Sequence, residues 1–119
     1  MNLIANVAVV IVALLHIAFL VLEMFLWTKP FGRRVFGLSA EIAQGSAPLA
    51  MNQGLYNGFL AAGLLWGVAI SNHAIEMFFL ICVIVAGIFG ALTAKRTILF
   101  VQALPGVIAL IAVVLAQRP

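Results

Sequence analysis

His16 and Glu23 lie seven residues apart in an otherwise apolar stretch, "HIAFLVLEMFLW". At 100° per residue, His16, Leu20, Glu23 and Trp27 fall on one stripe of a helix. A second stretch, "NQGLYNGFLAAGLLWG", runs from Asn52 to Gly67 and opens with Asn52, Gln53, Tyr56 and Asn57 before turning apolar. A carboxyl, an imidazole, a phenol and several amides suit acid–base chemistry. Glu23, His16 and Tyr56 would be the catalytic groups that take and return protons. Asn52, Gln53 and Asn57, with Gln102 farther along the chain, would hold the substrate by hydrogen bonds. Beside hydrocarbon a carboxyl and an imidazole both favour their neutral forms, and such a pair can exchange a proton near neutrality.

Other chemistries lack their residues. There is no nucleophile elbow, phosphate loop or paired-cysteine motif. Cys82 stands alone in an apolar run, which excludes an intrachain disulfide. One histidine and one glutamate are too few for a zinc site. A single buried histidine can be the axial ligand of haem b, so His16 is a candidate for haem iron. The basic residues sit between apolar runs and form no stripe, which speaks against nucleic acid.

The elements that must position these groups are helices in lipid. Of 119 residues, 66% are hydrophobic and 8% charged. A soluble domain carries about a quarter charged residues. The pattern predicts an all-α, single-domain integral membrane protein over 1–119, a four-transmembrane-helix bundle at about 3–27, 49–70, 75–94 and 98–116. The N-terminal stretch lacks a basic leader and a cleavage site, so it is expected to stay as the first span. Segment 28–48 is the one long loop, partly interfacial, with Ser46 and Pro48 suited to a helix start. Gly54, Gly58 and Ala61 form a close-packing seam, with Ala86 and Gly90, or Gly87 and Ala91, as its match on the third helix. Pro105-Gly106 should kink the last helix and free a carbonyl. His73 and Glu76 read as structural groups at a turn.

Lys29, Arg33, Arg34, Lys95 and Arg96 fall on one side of this arrangement, against Arg118 on the other. The positive-inside rule then puts both termini outside, in a multi-pass protein of the cell inner (plasma) membrane. Glu23 lies about 6 Å and His16 about 17 Å in from Trp27. Asn52, Tyr56 and Asn57 lie about 6, 12 and 14 Å in from Pro48, and Gln102 about 8 Å in from Thr97. These groups share the cytoplasmic half of the bilayer and predict a polar pocket there, with its glycine seam on the opposite face of the second helix. The expected partners are the lipid bilayer, a small lipophilic ligand and a second copy in a homo-oligomer.

The strings "LEMFLW" and "NQGLYNGFL" resemble a family of short four-helix bacterial integral-membrane proteins of unknown function. That resemblance highlights His16, Glu23, Trp27, Asn52, Gln53, Gly54, Tyr56, Asn57 and Gly58 but implies no activity. "NQGLYNG" is also faintly similar to the second helix of styrene oxide isomerase, a four-helix membrane enzyme that uses haem b on an epoxide. Asn52 stands where that family has its haem-ligating histidine, and the spacing differs by one. The leading expectation is an isomerase-like membrane enzyme acting on a small lipophilic molecule. A proton-coupled exporter of the small multidrug type and a non-catalytic membrane subunit are the alternatives.

Overall fold

The computed structural model describes residues 2–118. Its element order is α1 (Asn2–Met24), α2 (Pro30–Phe36), α3 (Ala40–Ala69), α4 (His73–Thr93), a π-helical segment (Leu99–Ala103) and α5 (Leu104–Ala116). The all-α expectation holds. Three stretches are long and apolar enough to cross a membrane: Leu3–Met24, His73–Thr93 and Leu99–Ala116.

The helix boundaries correct the expected ones. α1 stops at Met24, not at 27, where the amides of Phe25 and Leu26 both turn back to the Val21 carbonyl. Lys29 is extended and Pro30 opens α2, because a proline sends its predecessor out of the helical region and suits the first helical position. The expected loop 28–48 therefore holds α2 and the first turns of α3. The Ser39 hydroxyl accepts the Ile42 amide and starts α3, so the helix begins at Ala40 instead of 49. Ser46 and Pro48 lie inside α3, and the Ser46 hydroxyl donates back to the Ile42 carbonyl at 2.7 Å. α3 has 30 residues, about 45 Å.

The turn after α3 is closed by the Asn72 amide on the Gly67 carbonyl, with Ser71 left-handed at φ 51°. A side chain in that region costs about 1–2 kcal/mol, whereas glycine adopts it freely but loses more entropy on folding. Ser71→Gly is expected to stabilise the protein by about 0.5 kcal/mol, seen as a small rise in Tm in detergent.

Pro105 has no amide to give the preceding turn. The chain widens there, and the Leu104 amide bonds five residues back to Leu99. The expected disruption is thus taken up as a π-helical turn. Gln102 on that turn donates to the Val83 carbonyl at 3.1 Å.

The chain packs as two compact units, residues 1–15 with 60–119, and residues 16–59. In the first, Ala5, Val9 and Val12 of α1 join Ala61 and Leu64 of α3, Leu80 and Val83 of α4, and Ala109 and Val113 of α5 in one core. Gly87 of α4 lies against Ala103 of the π-helical turn, where an added Cβ would come 2.9 Å from the Ala103 amide nitrogen. The predicted partner of that seam was the second helix. The second unit holds the end of α1, all of α2 and α3 as far as Phe59.

Candidate functional site

In the second unit the inner line of α3 runs through Ala43, Ala50, Gly54 and Asn57, all buried. The spacing of these positions keeps them on one face of a helix. Without a water-driven force between helices in lipid, close approach is won by small side chains. An added Cβ on Gly54 would lie 2.5 Å from Met24 Cγ and 3.3 Å from the Leu20 carbonyl oxygen. One on Gly58 would lie 2.7 Å from Leu20 Cδ1. The end of α1 therefore lies directly on this seam, and Glu23 is carried in with it.

Asn57 Nδ2 donates a hydrogen bond to Glu23 Oε1. Asn57 is 7% exposed and Glu23 half-buried. His16, on the same stripe of α1, is fully buried and meets the Phe19 ring edge-on at 5.1 Å. Among the described residues of this unit the fold turns these three inward, and the Arg33 Nε is buried as well.

The remaining predicted site residues go elsewhere. Asn52 and Gln53 are exposed, and Tyr56 is 50% exposed with its ring 6.1 Å from Phe59. Asn57, expected on the flank of the polar face, is buried in line with the glycine seam, because helix packing selected the small residues and took a neighbouring amide along. Gln102 spends its amide on the Val83 carbonyl in the other unit.

Two features escaped the sequence reading. Trp27 Nε1 donates to Ser46 Oγ at 3.0 Å, and the indole packs on Phe36 at 4.7 Å. Trp27 thereby ties the end of α1 to both α2 and α3. A tryptophan followed by "TKP" signals a helix end, but nothing in the spacing points to Ser46. The other feature is Glu76, which is 1% exposed. Its Oε1 shares a hydrogen bond with His73 Nδ1 at 2.7 Å, and its Oε2 has no partner among the described residues.

An axial haem ligand presents an open face over its ligating nitrogen, whereas the His16 side chain here has no accessible surface. Among the described residues no group of three His, Cys, Asp or Glu could hold a metal ion.

The fold and site define a class: an all-α protein with apolar helices long enough to span a membrane and a carboxyl–amide pair held between two of its helices. The chain belongs to the family described as "Protein of unknown function (DUF1304)", whose model matches residues 10–114. It is 29% identical over 116 residues to the uncharacterized protein YpaA of Lactococcus lactis subsp. lactis (strain IL1403), covering 94% of this chain and 98% of that one. No solved structure matches it.

Proposed function

We propose that the chain is a multi-pass protein of the plasma membrane in which α3 makes a fourth crossing. Lys29, Arg33, Arg34, Lys95 and Arg96 then lie in the cytoplasm and both termini outside. α3 is about 15 Å longer than a typical hydrocarbon core, so its first turns, with Glu41 and Gln44, can stand among headgroups. We further propose that Glu23 is the acid–base group of a site for a small lipophilic molecule. Glu23 would take a proton from one atom of the ligand and return it to another, an isomerisation that needs no net oxidant or reductant.

One observation carries this reading: the amide of α3 that turns inward meets the one carboxyl of α1. Ionisable groups within spans are costly, and their usual occurrence is at functional sites with a named partner. Asn57 holds one carboxylate oxygen and orients the other. His16 lies about 10.5 Å farther along the same stripe and is fully buried, so it stays outside the site. Tyr56, Asn52 and Gln53 have no part in this site.

The bond itself supports a second reading, a non-catalytic membrane subunit in which the pair only ties α1 to α3. One experiment separates the two. Wild type, Glu23→Gln and Tyr56→Phe are purified in detergent, and small molecules that co-purify are identified by mass spectrometry. Glu23→Gln keeps an acceptor for Asn57 but cannot take a proton. The acid–base reading expects a lipophilic molecule on wild type and Tyr56→Phe, lost or chemically altered on Glu23→Gln. Identical contents in all three preparations would leave the structural tie.

A further inference from the structure

Away from that site, the C-terminal turn of α4 and the π-helical segment border an open surface groove of about 380 Å3. Its walls are Ile88, Ala91, Leu92, Leu99 and Phe100, and its one charged lining residue is Arg96. Leu92 is 82% and Phe100 65% exposed, so the walls are presented outward. Arg96 is exposed and has no ion-pair partner among the described residues. No carboxylate of the sequence lies in this turn: Glu23 and Glu41 are in α1 and α3, and Glu76 is at the opposite end of α4.

We propose that this groove binds an anionic phospholipid, with an acyl chain along Ile88, Leu92, Leu99 and Phe100 and the phosphate on the Arg96 guanidinium. The argument is complementarity of both parts at once. A channel of apolar walls at the hydrocarbon edge suits an acyl chain, and a neutral amphiphile would satisfy it equally well. The uncompensated guanidinium adds the selection, because its planar set of donors matches phosphate oxygens. Lys95, next to it in the sequence, adds a second positive charge to the same turn. Basic pockets between membrane helices are a recurring way of holding anionic headgroups. On the surface of α2, Phe31 and Val35 likewise flank Arg34. The proposal depends on the membrane setting and not on the Glu23–Asn57 site.

The test uses the full-length protein in nanodiscs of equal phosphatidylglycerol and phosphatidylcholine, followed by native mass spectrometry of the lipids that remain bound on release. Wild type is expected to retain phosphatidylglycerol over phosphatidylcholine. Arg96→Gln should lower that preference by about fivefold, the factor equivalent to about 1 kcal/mol for one cation near an anionic leaflet. Ala91→Trp fills the groove and leaves Arg96 in place; it should displace the bound lipid altogether, and it keeps the test open if Arg96→Gln fails to fold. Equal retention of the two lipids by wild type, or an unchanged preference in a folded Arg96→Gln, overturns the proposal. So does a change of oligomeric state on filling the groove with no change in bound lipid, which would assign the groove to a second copy of the chain.

Discussion

Gly32→Ala is expected to destabilise the protein by about 2 kcal/mol, lowering Tm in detergent by about 8 °C. Gly32 is buried on α2, and a Cβ placed there would fall onto the carbonyl group of Leu26. Both clashing atoms belong to main chain, so no side chain can rotate away. α2 must lift from the end of α1, and its seat on Trp27 through Phe36 goes with it. Two effects oppose one another here. Alanine is the better helix former by about 1 kcal/mol, which favours the variant. A backbone collision in a packed interior lies at the upper end of overpacking costs, about 3 kcal/mol, and it dominates. Gly45→Ala is the control: an added Cβ there meets nothing within 4 Å, and only the propensity gain remains. If the two substitutions shift Tm in the same direction, the close seating of α2 on Leu26 is wrong.

The stripe on α1 was readable because a helix in lipid keeps one periodicity from end to end. Ala5, Val9 and Val12 are buried, and continuing their spacing reaches His16 and then Glu23. The orientation of α3 was harder. Counting polarity put Asn52 and Tyr56 on the important face, but the buried line passes through Ala43, Ala50, Gly54 and Ala61. Side-chain volume decides which faces approach in a membrane, and polarity only decides what is carried along. Asn57 was identified as a site residue for its amide, and it reaches Glu23 because it neighbours Gly54. The start of α3 was misread for a related reason. Ser46-Ala47-Pro48 has the composition of a helix start, and so does Ser39-Ala40-Glu41. Capping geometry separates them: the Ser39 hydroxyl accepts a free amide, while Ser46 bonds back into a helix already formed. Pro105 announced a disturbance in the last helix, yet its form, a π-helical turn that aims Gln102 at Val83, depends on the α4 backbone being there to receive it.

Asn57→Leu is expected to cost about 1.5 kcal/mol, and the double variant Glu23→Leu/Asn57→Leu to recover most of that loss. The reason is the asymmetry of buried hydrogen bonds. Removing one partner leaves the other desolvated and unpaired, at about 1–3 kcal/mol and more for a charged group, whereas replacing both with apolar groups of similar size is close to neutral. Asn57 is the hydrogen-bond partner of Glu23 between α1 and α3, so the single variant leaves the part-buried carboxyl without that donor. Coupling between bonded pairs in membrane helices averages about 0.6 and reaches about 1.7 kcal/mol, and the part-buried position of this pair puts it toward the upper figure. Unfolding titrations in mixed micelles on the four corners of the cycle measure it, with Glu23→Gln as a fifth point expected within about 1 kcal/mol of wild type because the acceptor survives. A double variant as unstable as Asn57→Leu alone would mean that the two side chains act separately and that the Glu23–Asn57 bond does not hold α1 to α3. A double variant that regains stability would show that the helices need no charge at this seam, since apolar side chains hold them as well. The glutamate would then have to be explained by something other than folding, and a proton-exchanging site is the explanation its place on α1 supports.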